Sequence, residues 1–322
     1  MWHYQSAAKH SLFQVSFAAK SEKWAEYEPA LHKALQKTGV DATGLTTEAD
    51  PAEVDYIIYA PNSGLQDFTP FTRAKAVLSL WAGVEDIVGN ETITMPLARM
   101  VDYGLTQGML EFVTGHVLRY HLMIDDFLAG QDGVWRPNLV PPLARDRKVT
   151  ILGLGVLGAA AAQSLARIGF DVAGWSRSPK SIEGIACYHG EDGLFDALRH
   201  AEILVTLLPD TAATRGLINQ TTLAALPHGA KIINPGRGSL IEDAALLAAL
   251  DTGKIAAATL DVFTIEPLPA SHPYWRHPRV TVTPHIASAT RAETASETIA
   301  ENIRRGEVGE PFLHLVDRAA GY

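Results

Sequence analysis

Residues 148–158, K-V-T-I-L-G-L-G-V-L-G, decide the fold of this chain. The first five, Lys148–Leu152, predict an apolar strand, and the helix predicted at Val156–Ile168 ends before Gly169, a common C-terminal cap. The G-x-G-x-x-G turn between them brings helix N–H groups and the positive end of the helix dipole to a pyrophosphate. This order predicts dinucleotide binding, and a purely structural turn or the similar turn of a methyltransferase are the alternatives left open. The residues predicted to contact the dinucleotide are Gly153, Gly155, Val156, Leu157 and Gly158.

Strand-like and helix-like segments alternate along most of the chain, which is typical of α/β folds with parallel sheets. Six strands predict a doubly wound sheet: Lys148–Leu152, Asp171–Trp175, Glu202–Leu208, Ala230–Asn234, Ala257–Asp261 and Val280–Thr283. Earlier strands are predicted at Ser11–Ala18, Val54–Tyr59 and Ala76–Leu80. Further helices are predicted at Trp24–Gln36, Tyr103–Phe127 and Arg291–Arg305. A loop is predicted at Gln131–Pro142, and we expect its Trp135 to pack against other residues.

The composition is that of an ordinary globular chain. Its 322 residues, 47% hydrophobic and 20% charged, suggest two domains of ~100–200 residues each. No apolar stretch reaches the ~18 residues that a membrane span requires, and a net charge of −9 argues against general binding to nucleic acid. The one cysteine, Cys187, excludes an intrachain disulfide and a multi-cysteine metal site.

The N-terminus shows no pattern of a targeting segment. Residues 12–17 alternate in polarity, which favours a strand over the unbroken apolar core of a signal peptide. Residues 1–10 fit neither pattern and are interpreted as a loose tail. With a single cysteine as well, we expect a reducing, cytoplasmic location.

The tip of the second strand of the six-strand series decides which nicotinamide cofactor is favoured. An NAD site carries an acidic residue there, ~20 residues after the glycines, which binds the ribose diol. Here the tip reads W-S-R-S-P-K at 175–180 and has no carboxylate. Cationic and hydroxyl side chains suit a 2′-phosphate, so NADP(H) is favoured over NAD(H), and an ordinary basic surface turn is the alternative. The residues predicted at this part of the site are Trp175, Ser176, Arg177, Ser178 and Lys180.

Three further segments follow predicted strands, which places them at the carboxyl edge of the sheet, where ligands of α/β proteins bind. They are N-P-G-R-G at 234–238, D-V-F-T-I-E-P at 261–267 and T-P-H-I-A-S at 283–288. Behind the glycine turn and in this order, they resemble the D-isomer-specific 2-hydroxyacid dehydrogenase family. The resemblance begins at about Leu78 and is closest to the glyoxylate/hydroxypyruvate reductase A branch, through the W-S-R-S-P-K turn, the Pro-Leu-Pro after Glu266 and the tail at 316–322.

The resemblance implies a reaction that suits these residue types. Hydride from the nicotinamide reaches the ketone carbon of a 2-oxoacid, and negative charge grows on the ketone oxygen. A protonated histidine donates to that oxygen, a carboxylate stabilises the imidazolium, and an arginine presents a planar pair of donors to the substrate. The residues in these catalytic roles are His285, Glu266 and Arg237. Taken singly, each has an alternative: a structural histidine after a proline, a solvated or helix-capping carboxylate, and a turn after a strand.

The resemblance also implies a substrate loop at residues 79–84, whose N–H groups hold the substrate carboxylate. Its substrate-binding residues are Trp81, Ala82 and Gly83, beside Arg237 and His285. Trp81 replaces a glycine common in the family, and it is interpreted either as shaping the pocket or as a buried packing residue. Arg99 matches another arginine of the branch and either steers the anion or pairs with a carboxylate such as Asp102. The remaining cofactor residues are Leu207, Leu208, Pro209, Pro235 and Asp261, the last near the nicotinamide carboxamide.

The resemblance finally implies the architecture. A Rossmann-type NAD(P)-binding domain, residues 99–286, is inserted into a smaller flavodoxin-like substrate domain, residues 1–98 plus 287–322. Residues 103–127 and the loop with Trp135 resemble the dimer contact of the family, so we expect a homodimer. The expected function is NADPH-dependent reduction of glyoxylate, hydroxypyruvate or a related small 2-oxoacid to the D-hydroxyacid. The alternatives are a non-catalytic NAD(P)-sensing regulator and the same reaction on a larger 2-keto acid.

Overall fold

The structure is a computed structural model that describes residues 13–41, 43–319 and 321. The tail predicted at residues 1–10 and the start of the first predicted strand lie outside them. The strands are β1 (Val15–Ala18), β2 (Leu45–Thr46), β3 (Tyr56–Tyr59), β4 (Ala76–Ser79), β5 (Leu97–Ala98), β6 (Lys148–Leu152), β7 (Asp171–Ser176), β8 (Ala186–His189), β9 (Ile203–Thr206), β10 (Ala230–Asn234), β11 (Ile255–Leu260) and β12 (Val280–Val282). The α-helices are α1 (Ser21–Thr38), α2 (Tyr103–His121), α3 (Ile124–Ala129), α4 (Val156–Ile168), α5 (Gly190–His200), α6 (Gln220–Ala225), α7 (Asp243–Asp251) and α8 (Ala292–Val308). No helix in this part of the chain combines the length and the apolar character needed to cross a membrane.

The chain divides into two compact units, of which unit 1 contains the described residues of Met1–Gly104 and Thr290–Tyr322. Its sheet has the order β2-β1-β3-β4-β5, and all its strand pairs are parallel. This is the strand order of flavodoxin-like folds. β3 and β4 are fully buried, and α1 packs against α8.

Unit 2, Leu105–Ala289, contains the larger sheet. Its order is β12-β11-β10-β9-β6-β7-β8, again with parallel pairs throughout. The order reverses between β6 and β9, which is the topological switch point where doubly wound sheets bind ligands. The α/β fold class is confirmed, but the prediction of six strands is wrong, because β8 is a seventh strand at the edge of the sheet. No residue of β8 is fully buried, so its sequence lacks the apolar run that marks the central strands.

The long helix predicted at Tyr103–Phe127 is wrong, because it is interrupted after His121 and α3 begins at Ile124. Met123 takes a φ of 56°, which no α-helix accommodates. The carbonyl oxygen of Tyr120 accepts a hydrogen bond from Lys231 Nζ at 3.0 Å. Since this donor lies far along the chain, the local periodicity of residues 103–127 does not reveal it.

The loop predicted at Gln131–Pro142 contains no helix or strand. Its Trp135 is 90% exposed, so the expectation that this indole packs against other residues is wrong within the described chain. Val134 and Val140 in the same loop are also exposed. The loop therefore presents apolar side chains to its surroundings.

Candidate active site

The glycine turn, residues 153–158, connects β6 to α4. Gly153 has a φ of 105°, and a Cβ atom there would lie 2.4 Å from the carbonyl oxygen of Leu207. A Cβ atom on Gly158 would lie 1.8 Å from the carbonyl oxygen of Gly153. A Cβ atom on Gly155, which precedes the first residue of α4, would meet no atom of the described chain within 4 Å. The space before the helix N-terminus is therefore open, and its unpaired N–H groups fit a dinucleotide phosphate.

The turn after β7 contains the predicted 2′-phosphate residues. Trp175 is buried and its Nε1 donates to the carbonyl oxygen of Gly190 at 2.8 Å. The hydroxyl of Ser176, also buried, donates to the carbonyl oxygen of Ser178 at 2.8 Å, and this hydrogen bond stabilises the turn. The exposed side chains of the turn are those of Arg177, Ser178, Pro179 and Lys180.

The segment after β10 is held by Asn234, which the sequence did not single out. Its buried Oδ1 accepts from Thr206 Oγ1 at 2.7 Å and from the N–H of Gly236 at 3.1 Å. Its Nδ2 donates to the carbonyl oxygen of Arg237 at 2.9 Å. A Cβ atom on Gly238 would lie 2.0 Å from the carbonyl carbon of Phe263, so this segment packs directly on the one that follows β11. Asparagine therefore fixes the backbone that carries the candidate arginine.

Arg237 itself is half-buried, and its Nη1 donates to the carbonyl oxygen of Gly236 at 2.7 Å. The positive charge of Arg237 lowers the pKa of Asp210. Burial raises the pKa of Asp210, but the hydrogen bond from Arg215 and the charges of Arg215 and Arg237 bring that pKa below its ordinary value. Asp210 is therefore an anion near Arg237 at neutral pH.

The other predicted cofactor residues lie at the same sheet edge. Leu207 follows β9, and its N–H donates to the carbonyl oxygen of Leu152 at 2.7 Å. The carbonyl oxygen of Pro209 accepts from Thr214 Oγ1 at 2.6 Å. Leu208 and Pro235 are buried. Parallel strands thus bring these segments to the carboxyl edge beside the glycine turn.

Asp261, predicted near the nicotinamide, is 0% exposed and organises the loop that carries His285. One carboxylate oxygen, Oδ1, accepts from Thr283 Oγ1 at 2.6 Å and from the N–H of Ile286 at 2.9 Å. The other, Oδ2, accepts from the N–H of Ala287 at 2.8 Å. The backbone N–H of His285 donates to the Asp261 carbonyl oxygen at 2.8 Å. Sequence reasoning missed this organising role, because only the fold brings these donors to the carboxylate.

His285 and Glu266 meet directly. The distance from His285 Nδ1 to Glu266 Oε2 is 2.8 Å, and Glu266 Oε1 accepts from the N–H of Phe263 at 2.9 Å. The two side chains are 53% and 35% exposed, so the ring is accessible while its Nδ1 side is occupied. His285 has a φ of 54°, an uncommon value outside glycine. The arrangement orients an imidazole so that Nε2 faces away from the carboxylate and is able to exchange a proton with a ligand.

The predicted substrate loop belongs to unit 1. The N–H of Trp81 donates to Ser79 Oγ at 3.0 Å, and its carbonyl oxygen accepts from the N–H of Met100 at 3.0 Å. The indole is 37% exposed, so it is not the buried packing residue of the alternative interpretation. Ala82 and Gly83 are partly exposed beside it.

Comparison with known proteins identifies the family. Residues 115–287 match the family model described as "D-isomer specific 2-hydroxyacid dehydrogenase, NAD binding domain". The glyoxylate/hydroxypyruvate reductase A of Serratia proteamaculans is 43% identical over 258 residues, 78% of this chain and 82% of that protein. That of Yersinia enterocolitica is 42% identical over 257 residues, 77% of this chain and 82% of that protein. The resemblance to this branch seen in the sequence is thus confirmed.

Solved structures agree with the sequence relatives. The D-isomer specific 2-hydroxyacid dehydrogenase from Xanthobacter autotrophicus, in complex with NADPH and MES, is 43% identical with a TM-score of 0.89, covering 97% of this chain and 100% of its own. The NADPH-dependent glyoxylate/hydroxypyruvate reductase from Sinorhizobium meliloti, in complex with NADP and sulfate, is 35% identical with a TM-score of 0.83, covering 96% of this chain and 99% of its own. This chain therefore belongs to the D-isomer specific 2-hydroxyacid dehydrogenase family and is an NAD(P)-dependent oxidoreductase.

Proposed function

We propose that this chain reduces small 2-oxoacids, with glyoxylate and hydroxypyruvate as its substrates, to D-2-hydroxyacids. The observation that carries the proposal is the 2.8 Å contact between His285 Nδ1 and Glu266 Oε2. It holds an accessible imidazole in one orientation with its Nε2 available, as proton donation to a ketone oxygen requires. The names of the reductases that are about 43% identical to this chain support the choice of substrates.

Each residue has a part in the proposed reaction. The bound nicotinamide supplies a hydride to the ketone carbon. His285 gives its Nε2 proton to the ketone oxygen, which becomes the hydroxyl of the product, and the ring regains a proton from solvent. Glu266 stabilises the imidazolium and fixes its direction, and Arg237 binds the carboxylate and the carbonyl oxygen of the substrate. Substrate binding is also assigned to Trp81, Ala82 and Gly83 of unit 1.

We propose NADP(H) as the preferred cofactor, with NAD(H) as a weaker one. Arg177 and Lys180 are exposed at the tip of β7, and no carboxylate occupies residues 175–180. A guanidinium and an ammonium suit a 2′-phosphate, which an acidic residue would repel. The relatives solved with NADPH or NADP are consistent with this choice.

One observation favours a second candidate substrate class. Trp81 stands where the family commonly has glycine, and its indole is 37% exposed. An exposed aromatic surface suits the apolar chain of a larger 2-keto acid. The alternative of a non-catalytic NAD(P)-sensing regulator finds no such support, because such a protein needs no imidazole–carboxylate pair.

The proposal extends to organisation and assembly. We assign residues 1–98 with 287–322 to substrate binding and residues 99–286 to the dinucleotide. The exposed Val134, Trp135 and Val140 support a homodimer through the loop at 131–142. A cytoplasmic location stays a prediction.

A panel of 2-oxoacids, each with NADPH and with NADH, tests the proposed function. Wild-type protein is expected to oxidise NADPH with glyoxylate and hydroxypyruvate, and His285→Ala is expected to lower kcat by about 10²–10⁴-fold with an unchanged NADPH Kd. Arg237→Ala is expected to raise KM and lower kcat. His228→Ala, an exposed histidine of unit 2, serves as the matched control. Unchanged turnover in both site variants contradicts the mechanism, and tight NADPH binding without turnover of any 2-oxoacid favours the regulator.

A further inference from the structure

Asp210 lies in a compact loop, residues 209–216, that comes shortly after β9 at the carboxyl edge of the unit 2 sheet. Inside this loop, Thr214 Oγ1 donates to the carbonyl oxygen of Pro209 at 2.6 Å. The same Oγ1 accepts from the N–H of Thr211 at 2.9 Å. These hydrogen bonds fix the backbone on both sides of Asp210.

The loop at residues 209–216 is attached to the segment that carries Arg237. The N–H of Gly216 donates to the carbonyl oxygen of Ser239 at 2.8 Å. A Cβ atom on Gly236 would lie 3.4 Å from the Cα atom of Leu207, so the segment after β10 also packs on the residues that lead into the loop. The fold therefore places this loop beside the candidate arginine.

Arg215, at the end of the loop, holds the carboxylate of Asp210. Arg215 Nε lies 2.7 Å from Oδ1, and its Nη2 lies 3.3 Å from Oδ2, so a planar guanidinium binds both carboxylate oxygens. The side chain of Asp210 is 19% exposed, whereas that of Arg215 is 65% exposed. An arginine in contact with solvent thus orients a carboxylate that is itself mostly buried.

Arg237 acts on the same carboxylate. Burial raises the pKa of Asp210, and the charge of Arg237 is among the causes that bring it below its ordinary value. An anion beside a substrate-binding arginine repels an anionic substrate. However, a guanidinium on a long side chain has many rotamers, and a fixed carboxylate next to it restricts them before the substrate binds.

We propose that Asp210 is a positioning residue, which orients the guanidinium of Arg237 toward the substrate and is itself held by Arg215. The inference rests on the proposed function, because it takes Arg237 to bind the 2-oxoacid. The charge of Asp210 has two opposed effects on substrate binding, since repulsion weakens it and orientation of Arg237 strengthens it. Removal of this charge alone shows which effect is larger.

Steady-state kinetics of Asp210→Asn, which keeps the size of the side chain and removes its charge, test the proposal. With saturating NADPH, we expect KM for glyoxylate and hydroxypyruvate to rise about 3- to 10-fold and kcat to fall about 10-fold, because a misdirected guanidinium binds the oxoacid poorly. A carboxylate that only repels the substrate gives the opposite sign, since its removal lowers KM for an anion. Asp196→Asn removes the charge of an exposed ion pair with Arg199 on α5 and serves as the matched control.

Arg215→Met tests the contact that holds Asp210. This variant keeps the charge of Asp210 but loses the two hydrogen bonds to it, so we expect kcat/KM to fall about 3- to 10-fold. The double variant is expected to match Asp210→Asn alone, because Arg215 acts through Asp210. NADPH Kd and the melting temperature are expected to stay near wild type, which separates misorientation of Arg237 from loss of the cofactor or of the fold.

The assignment is overturned by an unchanged or lower KM in Asp210→Asn, by an equal loss of NADPH affinity, or by additive losses in the double variant. If Asp210→Asn does not fold, Arg215→Met decides, and a kcat/KM within about twofold of wild type refutes the proposal.

Calorimetry separates failure of this inference from failure of the proposed function. If wild-type protein reduces neither oxoacid, the proposed function fails, and titration of oxamate into the NADPH-loaded protein decides on Asp210. Weaker oxamate binding in Asp210→Asn supports Asp210 as the residue that orients Arg237. Equal or tighter binding refutes it, as does a wild-type protein that binds no oxamate.

Discussion

The glycine turn after β6 and the loop at residues 283–287 after β12, here the histidine loop, leave the same edge of the unit 2 sheet, yet different interactions shape them. The backbone of the glycine turn adopts a conformation that requires glycine. Gly153 has a φ of 105°, and neither Gly153 nor Gly158 has room for a Cβ atom. In the histidine loop, a buried carboxylate accepts three hydrogen bonds, from Thr283, Ile286 and Ala287.

The two loops also treat positive φ differently. Glycine adopts it without steric cost, whereas a side chain such as that of His285, at a φ of 54°, costs about 1 kcal/mol or more. Hydrogen bonds to the charged carboxylate of Asp261 contribute about 1.5–3 kcal/mol each and offset that cost. Backbone sterics therefore determine one loop, and hydrogen bonds to a buried side chain determine the other.

The largest effect is expected from Gly158→Ala. The new Cβ atom would lie 1.8 Å from the Gly153 carbonyl oxygen, so the backbone of the turn has to move. We expect the free energy of unfolding to fall by about 3 kcal/mol and the NADPH Kd to rise by about 100-fold. Denaturant unfolding and fluorescence titration with NADPH measure the two quantities.

Gly155→Ala is the matched control for that substitution. A methyl group there meets no atom of the described chain within 4 Å but projects into the space before α4. Stability is expected to stay within about 0.5 kcal/mol of wild type while NADPH affinity falls. Equal destabilisation by the two alanine substitutions would show that sterics within the turn are not what shapes it.

Asp261→Asn is expected to have a smaller effect, mainly on kcat. The amide keeps one acceptor oxygen but presents an NH₂ group to donors that need an acceptor, so the histidine loop loses part of its support. We expect kcat to fall by about 10- to 100-fold and stability by about 2 kcal/mol, with NADPH Kd nearly unchanged. Asp251→Asn, an exposed carboxylate at the end of α7, controls for the charge. A weakened NADPH Kd at unchanged kcat would assign Asp261 to the cofactor instead.

The difference between the glycine turn and the histidine loop explains which features of the site the sequence predicts. The glycine turn is recognisable in the sequence because its glycines recur at a fixed spacing between a strand and a helix, and α4 is found at its predicted bounds, Val156–Ile168. His285 and Glu266 are recognisable as residue types in an ordered series, but their 2.8 Å contact appears only in the fold. The organising roles of Asp261 and Asn234 are hidden for the same reason, since their donors come from other segments.

The wrong predictions about the fold have physical causes of the same kind. β8 is not predicted from the sequence, because an edge strand with no fully buried residue has no apolar run. α2 ends early at His121, and the Tyr120 carbonyl oxygen beside that end is bound by Lys231, which belongs to β10. Trp135 is exposed although an indole usually packs, and no local sequence pattern separates an exposed indole from a packed one.

The smallest effect is expected from Thr283→Val, which removes one of the three donors to Asp261 while keeping the shape of the side chain. The Thr283 hydroxyl lies 2.6 Å from Oδ1, and the N–H of Ile286 still binds that oxygen in the variant. We expect stability to fall by about 1 kcal/mol and kcat to stay within about threefold, because the two backbone donors continue to hold His285. Thr283→Ser, which retains the hydroxyl, is expected to behave like wild type in denaturant unfolding and in turnover. If Thr283→Val instead lowers kcat as strongly as Asp261→Asn, the hydroxyl alone positions the loop, and the backbone donors contribute little to its shape.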